Sequence, residues 1–186
     1  RWPDDLHLMF NFEVGGLSNQ LGTDRPVLDY SLSFIGPSEL WSEVARRCAL
    51  PAAKLQVSCS HEDASVPIIP VPDNLYRKYQ AIQQTSCRMV MQCWYFGNYP
   101  GIMNRAAGRL SFAPLPASEE EFLHELALPE WGTDAPALVA AWQAFGEGYR
   151  AFPENLNFKW FGPLHQSIAF PWYLFPVDQP LPPSYI

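Results

Sequence analysis

The chain of 186 residues carries 12 Lys and Arg against 19 Asp and Glu, which gives a formal net charge of -7. This acidic balance argues against a nucleic-acid partner, because binding along phosphates requires a basic surface. Hydrophobic residues make up 48% of the chain, which is enough for a buried core. No apolar run approaches the roughly 20 residues of a membrane span.

Four stretches in the first half have the composition of β-strands. Between the second and third, and between the third and fourth, the apolar residues have helical spacing. The strands are predicted at residues 7–14, 27–35, 54–60 and 88–96, with a loop at 15–26. Helices are predicted at 38–50, where Ser38 has the position of an N-cap, and at 73–85, where Asp73 has that position. The alternation of strand and helix predicts that the last three strands are parallel.

The second half has a different pattern. Ser118 is followed by three Glu residues, which predicts a helix over 118–128, because the helix dipole favours acidic side chains in the first turn. A further helix is predicted at 135–150. Residues 151–186 are rich in Pro and aromatic residues without periodicity, and we expect them to wrap over the domain.

Side chains alternate between the two faces of a strand, and each predicted strand has one apolar and one polar face. In the fourth strand, the face of Met89, Met91 and Cys93 is predicted to pack under helices. The opposite face carries Val90, Gln92 and Trp94. Polar groups increase toward the carboxyl ends of the strands, which is typical of the mouth of a barrel of parallel strands. The alternative is an α+β sheet with one face in solvent.

These features predict the C-terminal half of a (β/α)8 TIM barrel, followed by a helical and Pro- and aromatic-rich extension. Residues 1–112 are expected to form the last strands and helices of a barrel catalytic domain, and 113–186 the extension packed on it. The chain begins at Arg1 without Met or a signal segment. We therefore expect the first half of the barrel upstream in a parent chain, and this part alone to be inactive.

Carboxylates near the predicted strand ends are candidate catalytic groups. Glu62 follows the third strand on its polar face and precedes a Pro-rich loop, and Glu13 lies near the end of the first strand. Hydrolysis of a glycosidic bond uses such carboxylates as acid, base or nucleophile. Glu62 is the first candidate and Glu13 the second. Asp29 stands early on its strand and is better explained as a structural group.

An aromatic cluster with polar neighbours follows the fourth strand. The rings of Trp94, Tyr95 and Tyr99 can stack on the apolar face of a sugar, and Asn98 and Gln92 can bond its hydroxyls. For any single aromatic residue, ordinary core packing is the alternative. The cluster as a whole predicts a substrate-binding surface.

Two histidines are further substrate-binding candidates: His61, which precedes Glu62, and His165, which lies among aromatic residues.

His, Cys and carboxylate spacings match no metal site, and no nucleotide-binding or serine-hydrolase motif is present. We therefore predict no metal and no cofactor. The four cysteines lack CxxC spacing and lie in apolar stretches. They predict reduced thiols and a cytoplasmic location.

Two blocks, AAKLQVSCSHEDASVPIIPVP at 52–72 and MQCWYFGNYPG at 91–101, resemble a group of bacterial proteins similar to hexosaminidase-like barrel glycoside hydrolases. In that group a strand ends in Glu before a "VPYIPVP"-like loop, and a later strand ends in Trp before Gly-Tyr-Pro. Glu62 and Trp94 match those positions. The resemblance covers roughly residues 27–105, with a weaker echo in the GPLH segment at 162–165.

The resemblance implies a glycosidase-like fold acting on carbohydrate, without fixing the sugar or the stereochemical course. His61-Glu62 stands where hexosaminidases have an Asp-Glu pair, so substrate-assisted chemistry is not implied. The predicted function is therefore that of a glycoside hydrolase-like protein. The alternatives are a non-catalytic carbohydrate-binding or scaffold module, and a non-glycosidase barrel enzyme such as a lyase or isomerase. Neither a nucleic-acid partner nor a membrane partner is predicted.

Overall fold

The computed structural model describes residues 3–28, 30–58, 68–93 and 101–152. The strands are β1 (His7–Asn11), β2 (Leu17–Gln20), β3 (Thr23–Pro26), β4 (Leu50–Gln56) and β5 (Met89–Cys93). The helices are α1 (Glu39–Arg47), α2 (Pro72–Gln83), α3 (Ile102–Leu110), α4 (Glu119–Trp131) and α5 (Ala135–Arg150), with a 3-10 turn at Gly132–Asp134. No described helix is both long enough and apolar enough to cross a bilayer.

The main sheet is parallel and has the strand order β1-β4-β5. Met9 of β1 pairs with Ala52 of the central strand β4, and Ala52 pairs with Met89 of β5. The backbone N–H of Phe12 donates to the carbonyl of Lys54 at 3.0 Å and extends the first ladder past β1. Along the chain α1 lies between β1 and β4, α2 lies between β4 and β5, and α3 follows β5.

The prediction of a half TIM barrel is wrong, because the described residues form a small α/β domain around a three-stranded parallel sheet. The stretch at 27–35, predicted as the second strand, has no strand in its described residues. There the Ser31 hydroxyl oxygen accepts the N–H groups of Ser33 (3.2 Å) and Phe34 (3.1 Å). Such local side-chain to backbone bonds take the place of a strand ladder. Asp29 lies outside the described residues.

Residues 15–26, predicted as a loop, contain an antiparallel hairpin of β2 and β3 instead. The two turn residues both have positive φ, 53° at Leu21 and 77° at Gly22. This is the backbone of a two-residue hairpin turn whose twist suits the strands. Leu is a rare first residue for such a turn, and the sequence therefore lacked the usual Asn-Gly or Asp-Gly signal.

The N-cap predicted at Ser38 is confirmed, and Ser118, where a helix was predicted to begin, is a second serine cap. The Ser38 hydroxyl oxygen accepts the N–H of Trp41 at the start of α1, and that of Ser118 accepts the N–H of Glu121 in α4, each at 3.0 Å. The predicted cap at Asp73 is wrong, because α2 begins at Pro72 and Asp73 lies within its first turn. Pro suits that first position, since its missing N–H would have no partner there.

Helix α3 was not predicted, although its apolar residues have helical spacing. These residues, all buried except Ile102, are Ile102, Met103, Ala106, Ala107 and Leu110.

The bounds of two strands differ from the predicted bounds. β4 starts at Leu50 rather than at residue 54, and β5 spans Met89–Cys93 within the predicted 88–96.

One hydrophobic core joins the sheet to the helices. It includes Leu55 and Val57 from β4 and its end, Leu75 from α2, Phe122 from α4 and Trp142 from α5. Helices beyond residue 112 therefore share their core with the sheet. The Tyr76 ring stacks on Phe122 with 5.4 Å between centroids.

The two faces of β5 are reversed relative to the prediction. Met89 and Met91, expected to pack under helices, are 43% and 44% exposed. Val90 packs against the hydrophobic core instead. Gln92, expected on the polar face, turns its amide toward α2 and α3. The face of β5 that packs under the helices is therefore the one with Val90 and Gln92, and Gln92 contacts the helices through hydrogen bonds.

Candidate functional site

A buried polar cluster lies at the carboxyl edge of β1 and β4. The Asn11 side-chain oxygen accepts the N–H groups of Glu13 and Val14, each at 2.8 Å, and so turns the chain at the end of β1. The Glu13 carboxylate then accepts the N–H of Gln56, the last residue of β4, at 3.0 Å through Oε1. Beyond the last residue of β1, the Glu13 side chain thus replaces the backbone as the hydrogen-bond partner of β4.

Lys78 of α2 completes this cluster. Its Nζ donates to Oε1 of Glu13 at 2.7 Å, to the carbonyl of Ser31, and to the carbonyl of Gln56 at 3.5 Å. Both members of the Lys78–Glu13 ion pair are fully buried. One ammonium group therefore links the ends of β1 and β4 to the segment that follows the hairpin.

The electrostatics of Glu13 are dominated by burial, which raises the pKa of its carboxyl above the ordinary value. The charge and hydrogen bond of Lys78, and the N–H of Gln56, lower that pKa and offset part of the effect. Both bonds reach Oε1, whereas Oε2 is buried without a hydrogen-bond partner among the described residues. The carboxylate is asymmetric, with one oxygen shared by two donors.

A second buried carboxylate, Asp73, lies where α2 meets α5. Its Oδ2 accepts from Arg150 at 2.9 Å, and the neighbouring Asn74 amide donates to the carbonyl of Gly146 at 3.4 Å. Arg150 also bonds the side chain of Asn74. Burial raises the pKa of Asp73, and the hydrogen bond from Arg150 lowers it to a smaller degree. These contacts hold the start of α2 against the last turns of α5.

Gln92 makes a set of contacts separate from Glu13. Its amide nitrogen donates to the hydroxyls of Tyr79 and Ser111 and to the carbonyl of Ala107 at 3.3 Å. Burial raises the pKa of the Tyr79 hydroxyl. β4 separates the strand of Gln92 from the strand that leads to Glu13. The two predicted site residues that the structure describes are therefore not brought together.

The other predicted site residues lie outside the described residues. They are Glu62, His61, Trp94, Tyr95, Asn98, Tyr99 and His165. In the described part of the chain, no group of three or more His, Cys, Asp or Glu side chains is placed to hold a metal ion.

Lys78 was missed by the sequence analysis, although a signal for it was present. It lies three residues after Leu75 and next to Tyr79, on the helix face that enters the core. A charged side chain on an apolar helix face indicates a buried partner, because an unpaired buried charge is very costly. Glu13 was singled out as a candidate, but its partner was not.

Comparison with known proteins adds no relative to this description: no family model, no curated protein and no solved structure matches the chain.

Proposed function

We propose that this protein is a carbohydrate-active protein of the glycoside hydrolase type, with its site at the carboxyl edge of β4 and β5. One observation carries the proposal: β4 and β5 are adjacent and parallel, with Gln56 paired to Cys93 at their ends. Residues 59–67 and 94–100, which contain Glu62 and Trp94, follow these two neighbouring ends in the chain. Ligands of open α/β sheets bind outside the carboxyl ends of the strands.

In this proposal Glu62 acts on the glycosidic bond as acid/base or nucleophile, and Trp94 stacks on the sugar ring. Tyr95, Asn98 and Tyr99 follow Trp94 in the chain and supply further contacts to the sugar. The resemblance of these two blocks to hexosaminidase-like proteins supports the same assignment. His61 and His165 are the remaining substrate-binding candidates.

Glu13 has a different place in the proposal. Its carboxylate is fully buried and holds Lys78 and the N–H of Gln56. These contacts favour a positioning role, in which Glu13 and Lys78 fix the end of β4 from which the Glu62 segment departs. A second carboxylate in contact with the sugar then comes from another residue.

Hydrolysis of a panel of p-nitrophenyl glycosides by the full-length protein tests this function. We expect one sugar of the panel to be cleaved, and Glu62→Gln to lower kcat/KM by about 100- to 10,000-fold, because loss of a general acid/base typically costs that much. Asp63→Asn is the matched control, since it removes the adjacent carboxylate of the same segment. Equal rates for the parent and Glu62→Gln contradict the role of Glu62, and a panel left uncleaved contradicts the hydrolase function.

A carbohydrate-binding module without catalysis is the second candidate function. The burial of Glu13 favours it, because the second carboxylate that the sequence offered for catalysis is then closed off from a bound sugar. This candidate predicts that Trp94→Ala weakens the binding of an oligosaccharide measured by calorimetry, and that the parent binds the same sugar without cleaving it. Cleavage of the bound sugar excludes this candidate.

We place the protein in the cytoplasm within the same proposal. Cys48 and Cys87 are free thiols in the structure. Reduced cysteines are typical of compartments in which glutathione and thioredoxin keep thiols from pairing.

A further inference from the structure

A groove of about 630 Å³ lies between α3, α4 and α5. Its lining includes Ile102 of α3, Leu138 and the nearly buried Trp142 of α5, and Trp131 at the end of α4. The volume falls within the range of small-ligand sites. The groove therefore has an apolar lining of a size that fits one or two small rings.

The edge of this groove combines an exposed indole with a charged pair. Trp131 is 50% exposed, although it sits on a helix whose preceding turns pack into the core. Next to it Glu130 forms an ion pair with Arg105 of α3, and both of these side chains also line the groove. Flat aromatic surface and hydrogen-bonding groups thus occur side by side.

This combination fits a carbohydrate better than a purely apolar ligand or an anion. A sugar ring has an apolar face, which stacks on an indole, and an edge of hydroxyls, which both donate and accept hydrogen bonds. Arg105 supplies donors and Glu130 supplies acceptors. An anion would meet the carboxylate of Glu130, and a purely apolar ligand would cover Arg105 and Glu130 without bonding to either.

Two residues of the groove lining directly follow, in the chain, the two segments of the proposed site. Ile68 and Gly101 line the groove, and they are the first described residues after segments 59–67 and 94–100. We infer that the groove is a second sugar-binding subsite, which holds a further unit of an oligosaccharide by stacking on Trp131 and bonding to Arg105 and Glu130. This inference rests on the proposed carbohydrate function and extends it from a single sugar to a chain of linked sugars.

Calorimetric titration of the full-length protein with chitotetraose, cellotetraose and xylotetraose tests the subsite. We expect one of them to bind, and Trp131→Ala to raise its Kd about tenfold through loss of ring stacking and buried area. Trp131→Phe keeps a flat ring and retains most of the affinity. Phe145→Ala, which removes an exposed aromatic ring of α5 outside the groove lining, is the matched control and leaves the Kd unchanged.

Hydrolysis of p-nitrophenyl monosaccharides separates this inference from the function on which it rests. A subsite for a further sugar unit predicts that Trp131→Ala leaves kcat/KM for the monosaccharide unchanged while it weakens the tetrasaccharide. An unchanged tetrasaccharide Kd in Trp131→Ala overturns the subsite, even where monosaccharides are cleaved. The absence of binding by all three tetrasaccharides also overturns it. Binding that depends on Trp131 without any hydrolysis keeps the subsite and overturns the hydrolase.

Discussion

Two buried carboxylates in this molecule are paired with cations in different surroundings. Glu13 is bound by Lys78, and both side chains are fully buried, whereas Asp73 is bound by Arg150, whose side chain is 26% exposed. Burial raises the pKa of both acids. Water reaches the guanidinium of Arg150 but not the ammonium of Lys78. The Lys78–Glu13 pair therefore depends on protein contacts alone, while solvent compensates for part of a change at the Asp73–Arg150 pair.

Removal of Lys78 is expected to have the largest effect. Lys78→Met leaves the Glu13 carboxylate buried without its cation, and we expect a loss of about 3–5 kcal/mol in the free energy of unfolding. In the double variant Glu13→Gln/Lys78→Met, the glutamine amide oxygen can still accept the N–H of Gln56. Most of the stability should then return, as measured by urea unfolding. A double variant no more stable than Lys78→Met would show that the buried charge is not the cause.

The contact between α2 and α5 offers a smaller test at the second carboxylate. A Cβ at Gly146 would lie 2.0 Å from Oδ2 of Asp73, so that Gly146→Ala must displace the paired carboxylate. We expect a loss of about 1–3 kcal/mol in the free energy of unfolding. Gly148→Ala, on the same helix with no atom beyond its chain neighbours and the helix's own backbone within 4 Å of the new Cβ, should instead gain about 0.5–1 kcal/mol. Equal stabilities of the two variants would contradict a tight contact at Asp73.

The smallest expected effect is a dependence on pH. The ordinary pKa of Glu is 4.5, and the folded state raises that of Glu13. At a pH between 4.5 and the raised pKa of Glu13, the folded state binds more protons than the unfolded state. The free energy of unfolding therefore falls as the pH rises through this range. The stability of the parent minus that of the Glu13→Gln/Lys78→Met variant should therefore decrease from pH 4.5 upward. Asp73 is present in both proteins, and its contribution cancels. A difference that grows with pH would contradict the raised pKa.

Local signals in the sequence predicted much of the helical structure. Ser38 and Ser118 cap their helices through bonds that span three residues, and such bonds depend on nearby sequence alone. The limits of α5 agree with the apolar spacing at 135–150. These predictions succeeded because neither the caps nor the periodicity requires knowledge of a distant partner.

The sheet was predicted less well, because side chains override the simple alternation of its strands. The Asn11 turn ends β1 and directs Glu13 inward, and the Ser31 hydroxyl bonds the backbone of a stretch with apolar strand-like composition. On β5, Gln92 bonds to α2 and α3 and leaves Met91 exposed. Each of these arrangements depends on a polar group whose partner is chosen by geometry, which alternation along one strand does not encode.

At the site, the sequence identified Glu13 as a carboxylate near the end of a strand but not its pairing with Lys78. That pairing joins residues separated by 65 positions. The groove edge at Trp131 was likewise missed, because it is formed by Arg105 and Glu130 from two different helices. Sites assembled from separate elements become visible only when the helices are packed.

The hairpin of β2 and β3 has a practical consequence for experiments on this protein. Its base is closed by the bonds from Gly15 N–H to the carbonyl of Val27 and from Val27 N–H to the carbonyl of Gly16, each at 2.9 Å. Its tip, at Leu21 and Gly22, is exposed. Exposed tips of this kind tolerate inserted sequence, since the closed base isolates the rest of the fold. A short affinity or fluorescent tag placed there would provide an internal handle for sugar-binding assays and leave both chain ends unchanged.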